Sequence, residues 1–161
     1  VFMDNITALS AMSEKAKELG FDADIHTNIL EGEARDVGKE IAENLHKENR
    51  KTCVLYGGET TVCVKGAGKG GRNQEVAMGA LGEVGERELI LSFASDGRDN
   101  TDFAGALCDK ITSEKAAKLG LKPEEFLKNN DSYAFFKEVG DYLLTGDTGS
   151  NVSDLIIAIK G

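Results

Sequence analysis

The stretch Glu88-Leu89-Ile90-Leu91-Ser92-Phe93-Ala94 decides the fold of this chain. Its side chains are largely apolar on both faces of an extended backbone, which is typical of a strand buried at the centre of a sheet. We therefore predict the middle of the sheet at residues 88–94. The polar segment Ser95-Asp96-Gly97-Arg98-Asp99 follows at once. Because ligand sites in open α/β sheets gather beyond the carboxyl ends of strands, this segment is a first candidate site.

Helical and extended patterns alternate on either side of that strand. Helical spacing of apolar residues begins at about Asn5, recurs at residues 34–45 and 73–80, and returns in three short segments after Thr112. Runs of β-branched and apolar residues predict further strands at residues 24–27, 52–56, 60–65 and 154–159. A Gly-Gly-Glu turn between two of these runs predicts a β-hairpin over residues 52–65. The predicted fold class is α/β, with a mixed, largely parallel sheet, helices on both faces and that hairpin.

Length and composition restrict the class of protein. The chain has 161 residues, of which 40% are apolar and 29% are charged, so we predict a single domain over residues 1–161 with a sizeable buried core. The net charge of -9 repels nucleic acid and anionic lipid, and no apolar run reaches the length of a membrane span. We expect a cytoplasmic protein with neither a nucleic-acid partner nor a membrane partner.

The start of the chain and its cysteines give two further expectations. The sequence begins at Val1, directly before a helical pattern and without a basic or apolar leader. We take this start to indicate that sequence upstream is missing. Cys53, Cys63 and Cys108 are far apart and lie in apolar runs without CxxC spacing, so we expect core thiols in a reducing compartment.

The glycine-rich segment Gly66-Ala67-Gly68-Lys69-Gly70-Gly71-Arg72 contains the pattern GxGxxG between a predicted strand and a predicted helix. Glycines let backbone N–H groups come close to a ligand, and a helix N-terminus adds unpaired donors and partial positive charge. The segment therefore favours an anion, most simply a phosphate. Arg72 suits a phosphoryl group because its planar fork can bond two oxygens while keeping its charge.

Three alternatives stay open for the glycine-rich segment. A dinucleotide-binding fold would need an acid about twenty residues on, and Asp96 lies somewhat farther along the chain. A Walker loop would need Lys and then Ser or Thr at the positions that Arg72 and Asn73 occupy. The plainest alternative is a flexible turn between strand and helix, with Arg72 in a surface ion pair.

Two later loops are further candidates. Asp96 and Asp99, just beyond the central strand, carry the hard oxygen ligands that suit Mg²⁺, although aspartates in such loops also cap their own backbone turns. Residues 145–152 form a loop of small residues whose hydroxyl groups and backbone donors could bind a phosphate or carboxylate, although such loops are commonly just turns. The sequence Asn130-Asp131-Ser132 predicts the N-cap of the last helix.

Three segments of the chain carry a resemblance to a known family. The first runs from Gly57-Gly58-Glu59-Thr60-Thr61-Val62 into KGAGKGGRNQE; the others are SDGRDNTDFAGA and NNDSYAFFKEVGDYLLTGDTGSNVSDL. From about residue 52 to the end they resemble the MOFRL region of the glycerate 2-kinase family, and residues 1–51 resemble the segment before it. The resemblance implies transfer of the ATP γ-phosphate to D-glycerate, assisted by Mg²⁺. The family's cleft is shared with an amino-terminal kinase domain that is absent from this chain.

The residues and the resemblance together give a candidate site. Arg72 matches the family's cleft arginine and is the candidate catalytic residue, and a lysine of the missing domain would be its counterpart. Asn100 stands where the family pattern leads us to expect glycine. The candidate metal ligands are Asp96 and Asp99. The candidate substrate- or phosphate-binding residues are Glu59, Gly66, Gly68, Lys69, Gly70, Gly71, Asn73, Thr148 and Asn151.

Two functions from different classes remain open at this point. In the first, the chain is the carboxy-terminal part of a glycerate kinase and contributes part of an interdomain active site; the isolated chain is then expected to be inactive. In the second, it is a stand-alone module that binds a small anion or phosphate metabolite without catalysis. The partners expected in the first case are glycerate and the amino-terminal kinase domain, and self-association into a homo-oligomer is left open.

Overall fold

The computed structural model describes residues 4–161, so the start at Val1 lies outside the described residues. Helices and strands alternate through most of the chain. In chain order they are α1 (Asn5–Glu18), β1 (Asp22–Leu30), α2 (Ala34–His46), β2 (Thr52–Gly58), α3 (Arg72–Ala80), β3 (Glu88–Ala94), β4 (Gly105–Asp109), α4 (Lys110–Lys118), α5 (Pro123–Lys128), α6 (Ser132–Val139), β5 (Tyr142–Leu143) and β6 (Asp154–Lys160). Among the described residues, no helix is both long enough and apolar enough to cross a membrane.

The strands form one six-stranded sheet in the order β1-β2-β6-β3-β4-β5. The predicted α/β class with a mixed sheet is confirmed, and so is the interior position of β3, which pairs with β6 on one side and β4 on the other. The expectation of a largely parallel sheet is wrong, because among the strands of residues 4–161 only β1 and β2 pair in parallel. The last strand, β6, inserts between β2 and β3 and runs antiparallel to both. Its direction depends on a distant contact that no local pattern reveals.

The predicted hairpin over residues 52–65 is also wrong. Both edges of β2 are already paired, with β1 and with β6, so no edge is left for a hairpin partner. At Gly58, φ is +141° and the Leu30 backbone packs directly against the Cα atom, which turns the chain away from β2. Thr61 then makes a single bridge with Glu33, and residues 60–65 form no strand.

The core lies on both faces of the sheet. The larger cluster packs between the sheet and helices α2, α3 and α6, and it includes the fully buried Phe135 and Phe136. The smaller cluster packs α1 against the opposite face, where Leu9 contacts the side of β2 that carries Cys53 and Leu55. The predicted placement of helices on both faces is therefore confirmed. Successive side chains of β2 point to opposite sides of the sheet, and each side is covered by one of the two clusters, so both faces of this strand are buried.

The cysteines divide between the core and the surface. Cys53 and Cys108 are buried, as expected for core thiols, and burial raises the pKa of both. Cys63 is exposed, because the segment expected to be its strand runs along the outside of the sheet. There its backbone N–H donates to both carboxylate oxygens of Glu33, at 3.1 and 3.0 Å.

Close packing between α2 and α3 fixes the direction of α3. A Cβ atom at Gly38 would collide with the backbone carbonyl of Val76, and one at Gly79 would collide with the backbone of Arg35. Because these glycines carry no side chain, the two helix backbones approach each other closely. The N-terminus of α3 is thereby held beyond the end of β3, where the sequence places the candidate site.

Candidate functional site

A cavity of about 610 Å³ opens at the N-terminus of α3, where the glycine-rich segment meets the aspartate-containing segment. Three of its walls are the chain after β2, the glycine-rich turn before α3 and the loop after β3. Candidate residues predicted from the sequence lie on all three segments, and the fold brings these segments to one cavity; Glu59, on the chain after β2, does not line the cavity but contacts Arg72. The lining residues are Thr60, Thr61, Val62, Val64, Gly68, Gly70, Gly71, Arg72, Glu75, Ala94, Arg98, Asp99, Asn100 and Asn130.

The first half of the glycine-rich turn is bonded to the protein itself. Every backbone N–H from Lys65 to Lys69 donates to an oxygen of residues 129–131. Asn130 Oδ1 alone accepts from Lys65 at 2.7 Å and from Gly66 at 2.9 Å. The sequence suggested that these donors face a ligand, but an internal amide and neighbouring oxygens already satisfy them.

The glycines of this turn are required for packing. A Cβ atom at Gly66 or Gly68 would collide with the backbone of Asn129, and one at Gly70 would meet Ser132 Oγ. At Gly71 a Cβ atom would collide with Asp99. The glycine pattern therefore lets the turn lie directly against the connection between α5 and α6 and against the loop after β3.

The N-terminus of α3 is partly capped and partly open. Asp99 accepts hydrogen bonds from the backbone N–H of Asn73 at 3.0 Å and of Gln74 at 2.8 Å, and from the side-chain amides of both residues. By contrast, the N–H groups of Gly70, Gly71 and Arg72 have no acceptor among residues 4–161. Two of these N–H groups belong to the cavity wall before the helix, and the third begins the helix, so all three are suited to an anion.

Asp99 has a different role from the predicted one. It is 3% exposed, and both of its carboxylate oxygens accept hydrogen bonds from α3. Burial raises the pKa of its carboxyl, and the hydrogen bonds from Asn73 and Gln74 oppose that rise. Asp99 therefore holds the start of α3 in place, and its oxygens are not directed to a metal ion.

The predicted metal ligands do not assemble into a metal site. Asp96 Oδ1 accepts from the backbone N–H of Arg98 at 2.9 Å, which is the turn-capping arrangement considered as the alternative. In the part of the chain that the structure describes, no group of three or more His, Cys, Asp or Glu side chains is placed to hold a metal ion. Asp96 and Asp99 thus do not fit a resident Mg²⁺.

Arg72 lies on the cavity wall and is held by two carboxylates. Its Nε and Nη2 donate to Asp154 Oδ2 and Oδ1 at 2.5 and 3.1 Å, and Nη1 lies 3.5 Å from Glu59 Oε2. The pKa of Arg72 is raised, chiefly by the hydrogen bond to Asp154. Burial raises the pKa of Asp154, and the bond from Arg72 opposes that rise. The sequence left open that Arg72 forms a surface ion pair. The ion pair exists, but Arg72 lies on the cavity wall and its partner Asp154 is buried.

Other predicted residues lie beside the cavity without lining it. Lys69 Nζ lies 4.3 Å from the centre of the Tyr133 ring. Asn73 is 1% exposed; it donates to Asp99 and accepts from Ser92 Oγ at 2.6 Å. The side chain of Asn73 is therefore occupied by internal partners, whereas the exposed Lys69 lies over the Tyr133 ring.

The late loop packs on the segment that follows β3. Thr148 Oγ1 donates to the backbone carbonyl of Ser95 at 2.5 Å, and Asn151 Oδ1 accepts from the backbone N–H of Ser153 at 3.3 Å. Neither Thr148 nor Asn151 is among the residues that line the cavity. Both side chains hold a turn, which is the alternative that the sequence left open for this loop.

The residue that anchors the glycine-rich turn was not predicted from the sequence. Asn130 was expected to help cap α6, but it is 5% exposed and has φ of +53°. Its Nδ2 donates to Glu75 Oε1 at 2.8 Å, and Glu75 Oε2 accepts from Arg35 at 2.8 Å. Asp131 is the N-cap residue, but it makes no side-chain cap and its Oδ1 instead accepts from Lys69 N. A tolerance of asparagine for positive φ was the one available signal.

Comparison with known proteins identifies the family. The family model described as MOFRL family matches residues 52–154, which is more than half of the chain. The chain belongs to the MOFRL family. This MOFRL chain is similar to a glycerate 2-kinase of Pyrococcus horikoshii, with 42% identity over 165 residues that cover 96% of this chain and 38% of that protein. A D-glycerate 2-kinase of Thermotoga maritima is 43% identical over 154 residues, covering 89% of this chain and 37% of that protein.

Solved structures agree with the MOFRL assignment. The crystal structure of glycerate kinase from Thermotoga maritima matches with a TM-score of 0.94 and 39% identity, over 98% of this chain and 41% of that one. A Pyrococcus horikoshii protein matches with a TM-score of 0.91 and 40% identity, over 98% of this chain and 38% of that one. The resemblance to the glycerate kinase family is therefore confirmed. The MOFRL chain spans about two fifths of the length of these relatives.

Proposed function

We propose that this chain is the part of a glycerate kinase that forms one wall of the active site, where phosphate passes from ATP to D-glycerate. The observation that carries the proposal is the grouping of Arg72 with the open N–H groups of Gly70 and Gly71 on one cavity wall. Relatives named as glycerate kinases, at about 40% identity, support the reaction class. In this proposal the other wall, including a lysine, belongs to a part that the longer relatives possess.

Phosphoryl transfer asks mainly for positioning and charge stabilisation, and the cavity wall is suited to both. The guanidinium of Arg72 is fixed by Asp154 and Glu59, so it does not have to be ordered again when a ligand arrives. The N–H groups of Gly70 and Gly71 would donate to phosphoryl oxygens as negative charge develops there. No residue of the chain needs to form a covalent bond with the phosphoryl group.

Mg²⁺ would take part as a component of the nucleotide substrate. Because Asp99 is committed to α3 and Asp96 to its own turn, we do not assign the ion to these residues. Mg²⁺ bound to the phosphates of ATP would neutralise part of their charge. The chain would then contribute Arg72 and backbone donors to the side of the phosphates that the ion leaves free.

A chimera provides the test. In it, this chain would replace the matching part of the Thermotoga maritima glycerate kinase, which the fold similarity makes feasible. We expect glycerate-dependent ATP turnover by the chimera and none by the isolated chain. Arg72→Ala should lower kcat/KM by about 100-fold or more, as the loss of one oxyanion donor does. Arg72→Lys should restore little, because a lysine lacks the planar fork.

One control variant and two possible results test the role of Arg72 and the need for a second wall. Arg87→Ala removes an exposed arginine outside the cavity and should leave turnover unchanged. Unchanged kcat/KM in the Arg72→Ala chimera would show that Arg72 has no part in transfer. Glycerate phosphorylation by the isolated chain would show that no second wall is required.

The second function, a stand-alone module for small anions, is favoured by one observation. Arg72 and the open N–H groups are all supplied by this chain, so an anion could bind without another domain. Calorimetry of the isolated chain with glycerate, phosphoglycerate and ATP would test it. Binding without any turnover in the chimera would favour the module, whereas the absence of heat with all three ligands would exclude it.

A further inference from the structure

The charges around the cavity do not by themselves favour an anion. The carboxylates of Glu59, Glu75, Asp99 and Asp154 lie on or next to its walls, and they are balanced by only two bonded arginines, Arg35 and Arg72. Arg35 is bonded to Glu75, and Arg72 to Asp154 and Glu59. The carboxylates thus offset both bonded arginines, so a phosphate group must be attracted by other cations at the cavity, among them Lys69 and Arg98.

Arg98 differs from these two arginines in lining the cavity without a carboxylate partner among the described residues. It lines the same cavity as Gly70, Gly71 and Arg72, and it is exposed. Within residues 4–161, no carboxylate lies within 4.0 Å of its guanidinium, whereas Arg72 has two such partners. Arg98 is thus the lining arginine whose charge and donors are available to a ligand.

The backbone that carries Arg98 is held on both sides. Its N–H donates to Asp96 Oδ1 at 2.9 Å, and the next residue, Asp99, is buried against α3. Asn100 has φ of +55° and its Nδ2 donates to the carbonyl oxygen of Gly70 at 2.8 Å. The loop after β3 is therefore tied to the glycine-rich turn at Gly70, which carries the first of the open N–H groups, and Arg98 projects from an anchored segment.

We propose that Arg98 is a specificity-determining residue of this site, and that it binds phosphoryl oxygens together with the N–H groups of Gly70, Gly71 and Arg72. The inference rests on the proposed function for the reaction that the site serves. It goes beyond it by adding Arg98 as a second guanidinium that recognises the phosphoryl group, beside Arg72, whose position Asp154 and Glu59 fix. An unpaired guanidinium can make two parallel hydrogen bonds to phosphoryl oxygens, which a paired one can make only by giving up a carboxylate.

The test uses three variants of the chain. Arg98→Gln removes the charge while keeping a polar side chain, and Arg98→Lys keeps the charge but removes the fork. Arg87→Gln is the matched control, because it removes the same charge from an exposed arginine outside the cavity. Since the Arg98 side chain has no internal partner among the described residues, all three variants should unfold at the same temperature as the parent chain.

Inorganic pyrophosphate is the probe for binding. Amide NMR shifts of Gly70, Gly71 and Arg72 would be followed during its titration into the ¹⁵N-labelled chain. We expect Arg98→Gln to weaken binding about tenfold, the usual size for one exposed charge-assisted contact, and Arg98→Lys to lie between it and the parent. Arg87→Gln should bind as the parent does. Equal affinity of the parent and Arg98→Gln would overturn the inference.

Kinetics of the chimera separate this inference from the proposed function. Arg98→Gln should raise KM for ATP about tenfold and leave KM for glycerate unchanged. A rise confined to glycerate would mean that Arg98 binds a carboxylate, and would overturn the assignment. An inactive chimera whose chain still binds pyrophosphate through Arg98 would contradict the proposed function alone. Absence of pyrophosphate binding at these amides in both chain and chimera would refute the inference.

Discussion

Removal of the Asp99 carboxylate should destabilise the whole domain. Asp99 lies at the junction of the loop after β3 and the N-terminus of α3. Its oxygens accept from two backbone N–H groups and two side-chain amides of Asn73 and Gln74, at distances between 2.8 and 3.2 Å. In Asp99→Ala the backbone N–H groups of Asn73 and Gln74 and the side-chain amide of Asn73 lose their acceptor in an almost fully buried place, since both residues are at most 1% exposed. The Gln74 amide loses one of its bonds but keeps the backbone carbonyl of residue 99 and Thr101 Oγ1. The start of α3 is then left without its cap.

The size of the effect follows from these bonds. At about 1.5 kcal/mol for each bond to a charged group, four bonds give about 6 kcal/mol. Roughly half of this is regained, because the buried charge no longer has to be desolvated and water can enter the space. We expect a loss of about 3 kcal/mol in the free energy of unfolding. With a urea m-value of about 2 kcal/mol per M, the unfolding midpoint should fall by about 1.5 M.

Urea unfolding followed by far-UV circular dichroism is the assay, since the chain contains no tryptophan. Asp24→Ala is the matched control, because Asp24 is exposed on β1 and makes no side-chain hydrogen bond with any described residue. Its effect should stay within about 0.5 kcal/mol. Asp99→Asn should also be strongly destabilising, since its amide group would direct donors at the donors of α3.

Two results would refute the role given to Asp99. One is a loss below about 1 kcal/mol in Asp99→Ala, the size of a dispensable surface cap. The other is a rise in the thermal unfolding temperature of the parent chain with Mg²⁺ that disappears in Asp99→Ala. That pattern would make Asp99 a metal ligand after all, because a ligand that binds only the folded state stabilises it.

Three further predictions concern packing, ionisation and thiol exposure. Gly71→Ala should lower stability by about 2 kcal/mol or more because its Cβ atom collides with Asp99, whereas Gly82→Ala, with open space around it, should not; thermal unfolding compares them. Tyr56 has its pKa raised to about 12, first by burial and then by nearby acids. Because the folded state keeps that proton, the contribution of Tyr56 to stability should be constant below pH 10 and fall by up to about 2 kcal/mol as pH rises towards 12, measured as the difference between the parent chain and Tyr56→Phe in urea unfolding at several pH values; parallel profiles of the two chains would contradict the burial of Tyr56. Cys63 alone should react with a thiol reagent in the folded chain, and rapid labelling of a second thiol would contradict the pairing of the sheet.

Local pattern was sufficient for several features of the fold. The run at residues 88–94 was predicted as an interior strand because its side chains are apolar on both faces. Such a strand is stable only where it is buried, and here it lies between β4 and β6. Helices α1 and α2 follow from apolar residues at helical spacing. The glycine-rich turn could be recognised from its GxGxxG pattern. The glycines are needed there because the closely packed backbone leaves no space for a Cβ atom.

The order and direction of the strands were not available from that pattern. A repeating alternation of helix and strand suggests parallel crossovers, but β6 enters the middle of the sheet from the far end of the chain. Its insertion occupies the edge of β2 that the expected hairpin would have needed. Pairing between segments so distant in sequence depends on which edges remain free, and that is known only when all strands are placed.

The sequence by itself determined that this chain carries an arginine and glycine turn suited to an anion, and it pointed to the MOFRL family. Only the tertiary structure decided which donors are left for a ligand. Asn130 reaches the turn from 65 residues away, and Asp154 reaches Arg72 from 82 residues away. The physical reason is that a carboxylate or amide of the chain satisfies an N–H group or a guanidinium in the same way as a phosphate does. Residue type therefore reveals the donor, and only the fold shows that the Arg98 side chain has no partner among the described residues.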